Sequence, residues 1–294
     1  MTDILIGCRY VGTMGCIGVF TATLFAQALG LDAGTRRSGL FGFNGFLVGL
    51  ALATFDHGCQ EAEDCSVGLW KHAGALLPPV VVFAAFSVVF SVSLGNLLAP
   101  VWGVAAFTLP FNFAALLFLG TALQSKAFPQ PFTQALLPPA DPATEEAAID
   151  WLRVLEAVPK GVGQVYLAHN TVTGCMIAVG LAVCSPMSAL LAVLGSVIGI
   201  AVALCMQVPL SAVYVGLWGC NAALGMQAIG GMFFEPTAKA MLLACCCAVI
   251  CAYFGGLLAS IFTPFGLPTL VRFHIDVFVN LSICVGFSIP LVFY

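Results

Sequence analysis

Apolar residues run in long blocks along this chain, and polar residues are confined to the gaps between them. The blocks lie near residues 4–29, 40–55, 73–98, 104–123, 172–183, 187–206, 212–233, 240–262 and 277–293. Most reach or approach the ~20 residues that an α-helix needs to cross a bilayer. They are rich in glycine and lack the strict alternation of a barrel strand, so the pattern predicts helices. The expected fold is therefore an all-α polytopic membrane protein with about nine spans. The longest polar stretch, 124–159, contains Pro-Pro, Asp-Pro and Glu-Glu pairs and divides the chain. Residues 1–123 form one part, 124–150 a connecting loop, and 151–294 a second part.

Composition strengthens this picture. The chain is 61% hydrophobic and only 7% charged, against roughly 25% charged for a water-soluble domain. No basic stripe accompanies the net charge of −4, so nucleic acid is not an expected partner; the lipid bilayer is. Arg36 and Arg37 share one short loop, whereas residues 56–72 are acidic apart from Lys71, which puts the arginines on the cytoplasmic side. Most of the 13 cysteines, such as Cys245, Cys246, Cys247 and Cys251, sit inside apolar blocks and read as small buried residues. Cys59 and Cys65 lie near His57 in a polar loop that could hold a metal, form a disulfide or be simply solvated. The last is adopted, with no metal or cofactor expected. No cleavable signal peptide is evident at the amino terminus.

An internal repeat is the most informative feature. Gly39-Leu40-Phe41-Gly42-Phe43-Asn44 returns as Gly216-Leu217-Trp218-Gly219-Cys220-Asn221, an offset of 177 (221 − 44). Gly18 and Gly195, and Leu47 and Leu224, obey the same offset. Duplicated halves around a midplane site are common in solute-conducting membrane proteins.

Polar groups inside a membrane are costly and need a reason. The candidates are Asn44, Asn221, Thr108, Asn112, Gln164 and Asn96, all neutral. Neutral amides and hydroxyls suit a neutral polar solute and argue against a proton-coupled pump; for any one amide taken alone, a helix–helix hydrogen bond is the favoured reading. In Thr108-Leu109-Pro110-Phe111-Asn112, the proline frees backbone groups that either line a cavity or mark a kinked packing helix. Gly161-Val162-Gly163-Gln164-Val165-Tyr166 reads as a short re-entrant helix that turns Gln164 inward, with an interfacial loop as the alternative.

Taken together these segments resemble the urea-transporter family over nearly the whole chain. The resemblance is carried by residues 39–55 (GLFGFNGFLVGLALATF), 107–112 (FTLPFN), 158–166 (VPKGVGQVY), Ser185-Pro186, 194–199 (LGSVIG), 216–233 (GLWGCNAALGMQAIGGMF) and 266–269 (GLPT). It implies an inverted repeat of about five spans per half with re-entrant pore helices. It also implies a homotrimer with a pore in each subunit, in the plasma membrane, with urea as solute. By position, Phe43 and Leu47 wall one half of a narrow slot and Cys220 and Leu224 the other. Thr108 falls at the central constriction, and Gln164 with Val165 at a pore helix. Asn44, Pro110, Phe111, Asn112, Asn221 and Pro268 belong to the motifs that build the pore. Urea is flat and neutral. Apolar walls clamp its faces while a ladder of oxygens accepts its N–H groups, replacing water whose loss costs ~2–7 kcal/mol per polar group.

The chain also departs from the family pattern. Val271 stands where the second-half threonine is expected, followed by Arg272, Phe273 and His274; Cys220 replaces an aromatic residue; Val104 and Ala105 replace Leu-Pro. The offset sends Gln164 to a position before Met1 (164 − 177 = −13). The first repeat is therefore expected to be incomplete at its amino terminus, with a start codon assigned too late as the explanation. Facilitated, non-coupled passage of urea is the function expected. The alternatives are a channel for another small neutral solute (an amide, ammonia or water) and a non-conducting degenerate or incomplete relative. His57, His72, His169 and His274 stand apart from one another, with no Ser, Cys or carboxylate partner at an informative spacing, so no enzyme is expected.

Overall fold

The computed structural model describes residues 9–54, 70–102, 106–122, 149–168 and 170–262. Val271, Pro268, Cys59, Cys65, His57, His169, His274 and the expected span 277–293 lie outside the described residues, as do residues 124–148 of the connecting loop. All regular structure among the described residues is helical. Contacts divide the chain into two compact units, Met1–Ala135 and Leu136–Tyr294.

The first unit contains α1 (Arg9–Ala28), α2 (Ala33–Arg37), α3 (Leu40–Thr54), α4 (Trp70–Trp102) and α5 (Leu109–Ala122). Its most extensive helix pair is α1 on α3. Glycine makes that pairing close: a Cβ on Gly18 would strike the Gly45 carbonyl oxygen, and one on Gly49 the Met14 carbonyl oxygen. Small residues at such crossings let backbones approach where apolar lipid gives helices no hydrophobic drive to associate. Helix α4 packs on α1, α3 and α5, and the Phe83 and Phe118 rings meet edge to face at 5.8 Å between α4 and α5.

The second unit contains α6 (Trp151–Gln164), α7 (Thr171–Cys184), α8 (Pro186–Cys205), α9 (Leu210–Tyr214), α10 (Leu217–Gln227), one π-helical turn (Ala228–Phe233) and α11 (Ala238–Phe262). The Ser185-Pro186 pair starts α8: the Ser185 side chain accepts the Ser188 N–H at 3.3 Å, and Pro186 takes a first-turn position whose missing N–H costs nothing. The most extensive pair is α8 on α10, and again glycines mediate it. A Cβ on Gly195 would lie 2.5 Å from the Ala222 carbonyl oxygen, and one on Gly199 would strike the Trp218 carbonyl oxygen.

The repeat offset reappears in the helix boundaries. Helix α8 begins and ends 177 residues after α1 (186 − 9; 205 − 28), α9 does so after α2 (210 − 33; 214 − 37), and α10 begins 177 after α3 (217 − 40). Gly39 and Gly216 both have left-handed backbones, at φ +80° and +81°. So do the residues that end α1 and α8, Gly30 at φ +64° and Gln207 at +53°. Each terminates its helix in the same way. Leu31 N–H bonds to the Ala26 carbonyl and Val208 N–H to the Ala203 carbonyl, which is the Schellman closure.

Several expected boundaries are corrected. The apolar block 212–233 is not one span: Gly216, in its left-handed conformation, separates α9 from α10, and a π-helical turn follows. The block 104–123 becomes a helix only from Leu109, and Pro110 does not kink it. Proline instead occupies the first turn of α5, where its fixed φ suits helix entry. The polar stretch to 159 ends in helix rather than loop, because Asp150 caps α6 by accepting the Leu152 and Arg153 N–H groups. The segment 161–166 is accordingly the end of a 14-residue helix and the turn after it, not a short helix of its own.

Among the described residues, four helices are long and apolar enough to cross a membrane: Tyr10–Ala28, Gly74–Pro100, Pro186–Cys205 and Ala238–Leu257. Helices α3, α5 and α7 are apolar but shorter. At 1.5 Å per residue, α5 spans only about 21 Å of a hydrocarbon core about 30 Å thick. Helices that stop part-way leave terminal backbone groups at depth, and those groups need partners.

Candidate functional site

In the first unit the candidate residues gather at the start of α5. Phe107 has a left-handed backbone, φ +41°, which is uncommon for a bulky residue. The Leu109 N–H bonds back to the Ala106 carbonyl, and the Asn112 N–H to the Thr108 carbonyl. Asn44, fully buried on α3, reaches across to this turn. Its Nδ2 donates to the Phe107 carbonyl at 2.8 Å and to the Leu40 carbonyl at 3.1 Å, while its Oδ1 accepts the Phe111 N–H at 3.1 Å. Phe111 is the third residue of α5, so its N–H is one of the donors a helix start leaves without an internal partner. Asn44 supplies that partner from another helix.

Asn112 is also fully buried. Its Nδ2 donates to the Thr108 carbonyl at 2.9 Å, and its Oδ1 has no partner among the described residues. Thr108 is half-buried, and its hydroxyl meets no partner among the described residues. Phe43 and Leu47 stand one turn apart on the same stripe of α3, Phe43 half-buried and Leu47 buried. Asn96, a sixth polar candidate, is exposed on α4 and takes no part in this cluster.

In the second unit the candidates gather at the end of α6. The glycines of the 158–166 motif have a packing reason. A Cβ on Gly161 would strike the Ser196 hydroxyl; one on Gly216 would lie 2.6 Å from the Gly161 nitrogen; one on Gly163 would lie 3.2 Å from the Gly174 Cα. Helix α6 is thereby sunk between α7, α8 and the α9–α10 turn. Ser196 Oγ donates to the Val158 carbonyl at 2.8 Å and ties α8 to α6. At the other end of α6, the Tyr214 hydroxyl accepts the Asp150 N–H at 3.0 Å, and Arg153 lies over the Tyr214 ring.

These anchors place Gln164 where it is almost wholly buried. Its Nε2 donates to the Val215 carbonyl at 3.1 Å, while its buried Oε1 has no partner among the described residues. Leaving a buried acceptor unmet costs about 1–3 kcal/mol. Val165, next in the turn, is buried. On α10, Cys220 and Asn221 are buried and Leu224 is half-buried; Cys220 and Leu224 share a stripe as Phe43 and Leu47 do. Thr108 and Gln164 belong to different units. Ser196, Val215 and Tyr214, which hold the Gln164 segment, were not singled out from sequence, although the 194–199 motif contains Ser196.

Each unit therefore presents a buried neutral amide oxygen, Asn112 Oδ1 or Gln164 Oε1, with no donor among the described residues, beside a short apolar stripe. Among the described residues, no group of three or more His, Cys, Asp or Glu side chains could hold a metal ion. A family model described as urea transporter matches residues 2–273.

The chain belongs to the urea transporter family.

That family is one of transporters rather than enzymes. The chain is 34% identical over 256 residues to urea transporter 1 of Rattus norvegicus and equally to that of Mus musculus, each match covering 86% of this chain and 63% of the relative. Identity to urea transporter 1 of Ovis aries is 32% over 260 residues, covering 87% of this chain and 63% of the relative. This urea transporter family member thus spans just under two thirds of the length of the relatives it matches. Its helical fold with membrane-length apolar helices fits an integral membrane protein of that family.

Proposed function

We propose that this chain lets urea cross a membrane by facilitated, uncoupled diffusion. The observation that carries the proposal is Gln164: a buried amide with its Nε2 held by Val215 and its Oε1 left open. An acceptor so fixed is ready for the N–H of a solute that has shed its water, and neutral amide matches neutral amide without a charge to compensate. Thr108 offers a hydroxyl, and Asn112 a second open carbonyl oxygen. Among the described residues, apolar helices α1, α4 and α11 carry charges only in their first turns, at Arg9, Lys71 and Lys239, and the other apolar helices carry none. Helix α6 carries more, with Lys160 bonded to Glu156 and to the Tyr214 carbonyl; apolar helices so poor in ionisable groups favour passive passage over proton coupling.

The finer architecture belongs to the same proposal. The two halves are read as repeats, supported by the common offset of their helix boundaries; their inversion and the slot they line rest on family resemblance alone. Phe43, Leu47, Cys220 and Leu224 are read as its apolar walls, and Val165 as the neighbour of the Gln164 acceptor. Val271 is assigned to the slot by its place in the sequence motif. A homotrimer in the plasma membrane completes the reading, by family resemblance.

The test is solute uptake into proteoliposomes that contain the chain as given, followed by stopped-flow light scattering. Urea entry well above that of empty vesicles, unaffected by a proton gradient, supports the proposal. Faster passage of ammonia or water than of urea favours a channel for another neutral solute. Urea entry no faster than in empty vesicles overturns conduction by this chain.

A further inference from the structure

The geometry points to Asn44 as the residue that positions Thr108. This rests on the reading of Thr108 as a solute-facing group, and adds to it the side chain that sets where the hydroxyl stands.

A membrane asparagine that merely glues two helices has no need to choose its partners. The partners of Asn44 are specific. Two of its hydrogen bonds reach residues 63 and 67 positions away, and they bracket Thr108: the Phe107 carbonyl before it at 2.8 Å and the Phe111 N–H after it at 3.1 Å. The third bond, to the Leu40 carbonyl at 3.1 Å, fixes the amide against its own helix. With two carbonyls on one side and an N–H on the other, only one orientation of the Asn44 amide satisfies all three partners.

The segment it holds is one that would not hold itself. Phe107 is left-handed, a conformation that persists only where surroundings impose it. Pro110 has no N–H to give to the turn, and the Phe111 N–H is taken up by the Asn44 Oδ1. Asn112 completes the arrangement by donating to the Thr108 carbonyl at 2.9 Å. The carbonyls of Phe107 and Thr108 are thus both engaged by protein amides. The Thr108 hydroxyl is left for a solute, beside the open Asn112 Oδ1. Without Asn44, the Phe107 carbonyl would lose its amide donor and compete for the same N–H groups.

Hydrogen–deuterium exchange of the reconstituted protein, resolved to single amides, tests the hold directly. In the unaltered chain the Phe111 amide exchanges as slowly as the body of α5, unlike the first-turn amides of an uncapped helix. In Asn44→Ala its exchange rises by about tenfold or more, while residues 114–119 keep their protection. Urea flux supplies the second readout. If Asn44 acts through Thr108, Asn44→Ala and Thr108→Val each lower flux, and the double variant is no slower than the slower single one. Free exchange of Phe111 in the unaltered chain overturns the proposal. So do unchanged exchange in Asn44→Ala and flux losses that multiply. Should Thr108→Val conduct like the unaltered chain, the solute-facing reading of Thr108 falls, and the exchange data still decide whether Asn44 fixes the turn.

Discussion

Gly18 and Gly45 meet backbone to backbone where α1 crosses α3: a Cβ on either would fall against the carbonyl oxygen of the other. Neither helix can yield without opening the pair on which the first unit is built. Gly18→Ala should therefore cost about 1–3 kcal/mol, as overpacking does. Gly195→Ala, facing the Ala222 backbone, should behave alike. Gly120→Ala is the control, because nothing lies within 4 Å of a Cβ there and alanine favours helix. Thermal melts in detergent would read the difference, and equal melting of Gly18→Ala and Gly120→Ala would remove the close crossing from the account.

Gly39 and Gly216 share one backbone conformation but not one environment. Around Gly216, the Gly161 nitrogen and the Ala157 carbonyl oxygen would sit 2.6 and 2.8 Å from a Cβ; around Gly39 nothing described lies within 4 Å. Alanine at either position bears the left-handed cost of about 1–2 kcal/mol. At position 216 it should add about 1–3 kcal/mol of overpacking and push α6 outward. Gly216→Ala should then reduce urea flux as well as stability, while Gly39→Ala lowers stability alone. Matching losses of flux in the two variants would contradict this.

Gln207 closes α8 in the conformation that Gly30 adopts at the end of α1. Replacing it with the residue suited to that conformation, Gln207→Gly, should raise stability by up to about 1 kcal/mol. Gly30→Gln should lower it by a similar amount. Two melting curves suffice, and a destabilised Gln207→Gly would show that the glutamine side chain contributes more than its backbone strain.

Gln164→Leu keeps the volume of the side chain and removes its open acceptor. Losing about 1.4 kcal/mol of solute stabilisation corresponds to about a tenfold drop in urea flux, with insertion and yield unchanged. Asn96→Leu, on the exposed face of α4, should leave flux as it was. Equal flux in the Gln164 and Asn96 variants, each shown to be folded, would take Gln164 out of the conduction path.

Membrane class and helical content were legible in sequence alone, because both are written in local order as apolar blocks long enough for a bilayer; the order Gly-Leu-aromatic-Gly-x-Asn also stands at two places 177 residues apart. The offset even carried over to helix ends. What sequence could not decide were the points where local preference is ambiguous and distant groups settle it. Proline 110 fits a kink or a helix start equally well from its neighbours; the Phe111 N–H, accepted by Asn44 from 67 positions away, is held where α5 begins. Helix α6 looked like loop as far as Pro159 because its residues are polar, yet the Asp150 cap, the Tyr214 hydroxyl and Ser196 hold it as helix. Gly216 breaks an apolar run that reads as continuous, since hydropathy is blind to the sign of φ. The open carbonyl of Gln164 belongs to the same category. Any glutamine has such an oxygen, and only packing determines whether a partner reaches it.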